Sequence, residues 1–211
     1  LAGNSLDITR GYWSLAADNN YGKFSGTAKF FYNFGEHKIS DGFHSNDKNY
    51  GINIYETTRL FRGNNLTLGA DYLVYGGKAE NEKYGTFITD TAVYDAGIYA
   101  FTQQTFFDRL TVNAGLRLQQ HRVYGRECIP AGGFSWKVSE NTTWKTSVSK
   151  GFRSPTIREL FVWNHNVNLS PESVINYETS FLQSFNDRKI NLELTGFSII
   201  GDNMIITIPN I

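Results

Sequence analysis

"RLTVNAGLRLQQ", residues 109–120, puts Leu110, Val112, Ala114, Leu116 and Leu118 on one parity and Thr111, Asn113, Arg117 and Gln119 on the other. A period of two marks a strand whose faces meet different surroundings, because successive side chains of an extended chain point to opposite sides. The preceding run, "AVYDAGIYAFTQQ" (92–104), joins it through the short connection "FFDR" (106–109), so residues 92–120 read as a β-hairpin. The pattern of 92–104 leaves open which of its parities shares the apolar face.

The same unit recurs along the chain. "GKFSGTAKFFYNF" (22–34) sets Gly26, Ala28, Phe30, Tyr32 and Phe34 against Lys23, Ser25, Thr27, Lys29 and Asn33. "NLTLGADYLV" (65–74) sets Leu66, Leu68, Ala70, Tyr72 and Val74 against Thr67, Gly69 and Asp71, and "KINLELTG" (189–196) sets Ile190, Leu192 and Leu194 against Asn191, Glu193 and Thr195. Composition agrees: 15% of residues are aromatic and only one is Met, a bias toward side chains that fill a pleated surface and lose rotamer freedom in a helix. The pattern gives ten strands and the start of an eleventh at "NMIITIP" (203–209). No linker or shift in composition interrupts it, so residues 1–211 read as one domain.

The connections separate a membrane barrel from a soluble sandwich. Short ones, at 18–21, 61–64, 106–109, 139–142 and 186–188, alternate with longer ones at 35–48, 77–91, 121–130 and 152–173, so short and long fall at opposite ends of the strands. Outer-membrane barrels have short periplasmic turns, long extracellular loops, an apolar outside and a polar inside. A transmembrane strand needs only about 9 to 11 tilted residues, so the lack of an 18-residue apolar run does not count against a membrane. Phe61, Phe106, Phe107, Trp144 and Phe185 lie near short turns, where an interfacial girdle sits. Lys29, Asp71, Asn113, Arg117 and Glu193 then line a wet or plugged lumen.

The 20 basic and 20 acidic residues cancel, which gives no electrostatic footprint for nucleic acid. Cys128 is alone and forms no internal disulfide. His37, His44, His121 and His165 are scattered, mostly in segments read as loops, and match no metal-site spacing. No nucleophile elbow or phosphate-binding glycine loop is found, so neither an enzyme nor a resident cofactor or metal is expected.

Residues 149–178 read "SKGFRSPTIRELFVWNHNVNLSPESVINYE". This resembles the TonB-dependent outer-membrane receptors, in which a barrel strand ending in "SxGFRxP" leads into "xxREL(F/Y)", an "NPxLxPE" box and a strand with "NYE". The matching residues are Gly151, Phe152, Arg153, Pro155, Glu159, Leu160, Phe161, Asn168, Leu169, Pro171, Glu172, Tyr177 and Glu178, with Val167 where the common box has Pro. "YAFTQQTFFDRLTVNAGLR" and "LTGFSIIGDNMI" resemble further barrel strands of that family.

The resemblance implies an antiparallel transmembrane β-barrel segment of about ten to eleven strands from a larger, 22-stranded barrel, without the plug domain. It implies active uptake, across the outer membrane of a Gram-negative bacterium, of a metal chelate: an iron siderophore, heme or a corrinoid. Its partners would be outer-membrane lipid and, through the plug, the inner-membrane TonB energy-coupling complex. Two other readings stay open: a complete ten-stranded outer-membrane enzyme of the omptin-protease kind, and a soluble ligand-binding β-barrel.

Within the motif, Pro155 holds Ser154 extended and ends the strand, and "SPTIRE" fits a short helical turn with Ser154 as N-cap and Pro155 first in the helix. Arg153, Arg158 and Glu159 either form an ion-pair network that fixes the loop or face an anionic chelate. Some heme-taking members place a ligand histidine between the two boxes, where His165 lies. It is either such a ligand or a solvated loop residue.

Overall fold

In lipid an extended chain satisfies its backbone polar groups only by pairing with neighbouring strands. A computed structural model describes residues 5–161, 166–187 and 189–206, with Phe161 placed by its backbone alone. It shows how these pairs are made. Ten strands, β1 (Leu6–Tyr21), β2 (Phe24–Ile39), β3 (Phe43–Thr58), β4 (Asn64–Asn81), β5 (Thr86–Phe106), β6 (Leu110–His121), β7 (Gly125–Ser139), β8 (Thr142–Arg153), β9 (Glu172–Phe185) and β10 (Ile190–Asp202), form one sheet in sequence order. Every neighbouring pair is antiparallel. One short helix, α1 (Ile157–Phe161), interrupts the meander between β8 and β9. Among the described residues β1 pairs only with β2 and β10 only with β9, so the sheet is an open wall and not the closed ten-stranded ring that the omptin reading requires. The eleventh strand expected at 203–209 is not seen over Met204–Ile206, and residues 207–209 lie outside the described residues.

Three of the four long connections turn out to be strand. Residues 35–48 hold the ends of β2 and β3 around a tight turn, 77–91 those of β4 and β5, and 121–130 those of β6 and β7. Only the fourth, between Arg153 and Glu172, is a loop. The physical reason is solvent. Beyond the bilayer both faces of a strand meet water, so the apolar–polar alternation fades while the ladder of backbone hydrogen bonds continues.

The register joins the apolar parities into one continuous face. Leu15 pairs with Phe30 and Phe30 with Ile52, while Ala70 pairs with Ile98 and Ile98 with Leu118. This face is open: Leu15 is 69% exposed, Ile98 59% and Leu194 75%, as befits side chains whose solvent is lipid. The pairing of Ile98 with Ala70 and Leu118 settles the parity of β5 and turns Tyr99, Phe101 and Asp95 inward, onto the face of Asp71 and Arg117.

On that inner face ion pairs skip over an intervening strand. Arg117 of β6 donates from Nη1 and Nη2 to Asp71 of β4 at 2.5 and 2.8 Å, across β5 at Gly97. Arg10 of β1 reaches Asp47 of β3 at 2.6 and 2.8 Å, across β2 at Gly35. A Cβ on Gly97 would collide with the Arg117 guanidinium, and one on Gly35 with that of Arg10. Each glycine therefore opens the corridor through which two non-adjacent strands are tied. The Arg117 guanidinium also lies 6.0 Å above the ring of Tyr99.

Aromatic side chains mark both rims. Trp136 pairs with Trp144 and Trp144 with Phe181 near the short turns, where Phe107 stands 93% exposed in a turn with positive φ. At the other rim Trp13, Tyr32 and Tyr50 form a row across β1, β2 and β3, with stacked ring pairs at 6.3 and 6.1 Å, and Tyr72 stacks on Tyr94 at 6.0 Å. Among the described residues no helix is long and apolar enough to cross a membrane; the strands do so instead.

Candidate functional site

Among the described residues, the one true loop starts where β8 runs out. Pro155 is fully buried at its entry, and the helix begins two residues later than the sequence predicts, with Thr156 as N-cap in place of Ser154. Thr156-Ile157-Arg158-Glu159 is a capping box: the Glu159 amide donates to Thr156 Oγ1 at 3.2 Å, and Glu159 Oε2 accepts from the Thr156 amide at 2.7 Å and its hydroxyl at 2.9 Å. Thr156 has a glutamate three residues on and Ser154 does not, which decides between the two caps. Thr156→Ala is therefore expected to destabilise α1 by about 1 kcal/mol, seen as roughly fivefold faster amide exchange over 157–161, with Thr156→Ser close to wild type.

Arg153 closes the loop from the strand side. Its Nη1 and Nη2 donate to the two oxygens of Glu159 at 3.0 and 3.2 Å, and its Nε donates to Oε2 of Glu172, the first residue of β9. Glu172 is buried, and its other oxygen accepts the Ile205 amide at 2.6 Å. One guanidinium thus clasps the end of β8, the cap of α1, the start of β9 and, through Glu172, the segment after β10. The Arg153 guanidinium and the Thr156 amide hold the Glu159 carboxyl far below its ordinary range, at about 2.

The clasped loop turns inward. α1 rests against β5, Leu160 is 3% exposed, and the loop roofs a cavity of about 780 Å³ over the inner face. Arg158, His37, Asp47, Tyr75, Asp95 and Gln119 are among the residues lining it. Beside this roof His121, read as a solvated loop residue from sequence, is buried. Its Nδ1 accepts the amides of Val123 and Tyr124 at 3.0 and 3.3 Å. The proton therefore sits on Nε2, which donates to Tyr75 Oη at 3.2 Å.

Of the expected site residues, the structure brings Arg153 and Glu159 into one ion-pair clasp and sets Arg158 on the cavity wall. His165 lies outside the described residues. Sequence reasoning did not assign Thr156 or Glu172 a role in the site. The T-x-x-E spacing was a local signal for the first. Glu172 is 19 positions from Arg153, and only the fold joins them.

Solved structures place this wall in a known architecture. The siderophore receptor PirA from Pseudomonas aeruginosa superposes with a TM-score of 0.82 at 15% identity, over 93% of this chain and 40% of that one. The FrpB iron transporter from Neisseria meningitidis gives 0.75 at 17%, over 92% and 36%, and the copper transporter OprC 0.72 at 15%, over 93% and 39%. At such identities the likeness is one of fold, and the chain spans about two fifths or less of each structure. No curated protein sequence matches. The family described as "TonB dependent receptor-like, beta-barrel" matches residues 2–211. With the sequential antiparallel wall, its rims of aromatic side chains and the "GFRSPTIREL" clasp inside that span, the chain belongs to the TonB-dependent receptor β-barrel family.

Proposed function

We propose that this chain forms part of the wall of an outer-membrane receptor that takes up a metal chelate by TonB-dependent transport, the rest of the barrel and the plug being supplied by further sequence. The observation that carries this reading is the inward-turned loop 154–161. It converts a polar inner wall into a cavity of about 780 Å³ lined by Arg158, His37 and Tyr75, side chains suited to an anionic, partly aromatic ligand. Relatives in fold include a siderophore receptor, an iron transporter and a copper transporter, which supports metal uptake in general. Members of the family are transporters and not enzymes, in keeping with a clasp that binds and holds but offers no nucleophile. Coupling to TonB at the inner membrane and residence in the outer membrane belong to the same proposal.

The test is binding and uptake of ferric siderophores, hemin and a corrinoid by the receptor carrying these strands. Arg158→Ala, which leaves the Arg153 clasp in place, is expected to weaken binding of one of these chelates by about 10- to 100-fold, the worth of a charge-assisted hydrogen bond. Unchanged binding and uptake of the whole panel, with normal surface expression, would remove Arg158 from the ligand site. For hemin, an absorption band identical in wild type and His165→Ala rules out axial ligation by His165.

A further inference from the structure

His44, the second residue of β3, lies at the outermost tip of the wall, on the parity of Tyr50 and therefore on the face opposite the lumen. Its two ring nitrogens each meet a carboxylate: Nδ1 lies 2.5 Å from Oε1 of Glu82, and Nε2 lies 2.9 Å from Oε1 of Glu36, with the Asn46 amide beside it at 3.3 Å. A neutral imidazole has one N–H and can donate to only one of these carboxylates. The geometry therefore calls for a second positive charge at the ring, carried by a second proton or by a metal ion on one nitrogen.

The surrounding groups favour the metal. Glu80, which pairs with His44 across the β3–β4 ladder, brings a further carboxylate, and ligand atoms of His44, Glu80 and Glu82 all lie within 4.8 Å of one another. Glu80 takes the Lys78 ammonium on Oε1 at 2.8 Å, leaving its second oxygen for a cation. Glu36, held by Lys38 at 2.9 Å, faces the other ring nitrogen. A ligating histidine whose remaining N–H donates to a carboxylate is the usual outer arrangement of protein metal sites, because it fixes the tautomer and raises the basicity of the coordinating nitrogen.

We propose that His44 Nδ1, Glu80 and Glu82 bind a divalent transition-metal cation of the Zn²⁺ kind, with Glu36 orienting the imidazole. One nitrogen and two carboxylate oxygens leave a fourth position of a tetrahedral site to water. The ligands come from β3, from the end of β4 and from the β4–β5 turn, so the ion pins two adjacent hairpin tips. These tips are already joined by the Glu82 amide donating to the Gly42 carbonyl at 2.8 Å. The site faces away from the lumen and stands independently of the transport reading.

The probe is Zn²⁺ alone, titrated calorimetrically into the detergent-extracted receptor that carries these strands. One saturable equivalent is expected, weakened at least tenfold by His44→Ala and about 10- to 100-fold by Glu36→Gln. In the wild type Zn²⁺ should slow amide exchange over 40–46 and 80–84, a readout that needs no variant to fold. Absence of saturable binding, binding unaltered by His44→Ala, or exchange at the tips indifferent to Zn²⁺ would each overturn the proposal.

Discussion

Leu116→Arg is expected to lower the stability of the membrane-inserted barrel by about 2–4 kcal/mol, the cost of an arginine facing lipid near the bilayer midplane. Leu116 lies midway along β6, on the outward parity, paired with Ala100 on one side and Pro130 on the other, and 46% of its surface is open. An arginine there reaches water only by threading its side chain along the wall toward a rim. Asn113→Lys, on the opposite parity of the same strand, points into the lumen and should cost less than about 1 kcal/mol, since a charge there stays hydrated. Equilibrium unfolding in lipid vesicles measures both. Equal, small effects would contradict the lipid-facing assignment, and a soluble barrel predicts the same small effect for Leu116→Arg only if that face meets water.

Residue patterns revealed this wall where two solvents meet and concealed it where one does. β6, β2 and β4 alternate cleanly because Leu116, Phe30 and Leu68 face lipid while Arg117, Lys29 and Asp71 face the lumen. On β5 the aromatic Tyr99 and Phe101 lie on the lumen side, one of them under the Arg117 guanidinium, so parity is ambiguous until Ile98 is seen opposite Leu118. At the extracellular ends water bathes both faces, and residues such as "EHKISDGFHSND" carry no period although they are β2, a three-residue turn and β3. The same limit explains the site. Arg153 and Glu159, six positions apart, were legible as a pair. Their third member, Glu172, is delivered by the pairing of β8 with β9, where Arg153 stands opposite it. His44 joins Glu80 and Glu82 in the same way, through strand pairing that no histidine spacing could announce.

Arg153→Ala should release the loop as a unit, with amide exchange over 154–161 and at Ile205 rising tenfold or more. Among the described residues the guanidinium alone ties Glu159 to Glu172, and Glu172 in turn holds the Ile205 amide. Arg153→Lys should restore little, because the three N–H donors of an ammonium radiate from one nitrogen and cannot span the two carboxylates that Nε, Nη1 and Nη2 reach as a planar fork. Acid supplies a second readout of the same clasp. The Glu159 carboxyl is depressed to about 2 by the Arg153 guanidinium and the Thr156 amide, against about 4.3 for an unstructured glutamate. Its stabilising contribution is therefore complete above the unfolded value and is lost as pH falls toward the folded one. Wild-type loop exchange should stay slow down to about pH 4 and accelerate between there and about pH 2, after correction for the intrinsic exchange rate. In Arg153→Ala the largest contribution to that depression disappears, so the loop should be loose already at neutral pH and show a smaller acid step. A variant whose loop stays as protected as wild type, or keeps the same acid transition, would show that the capping box suffices and that Arg153 is not the clasp.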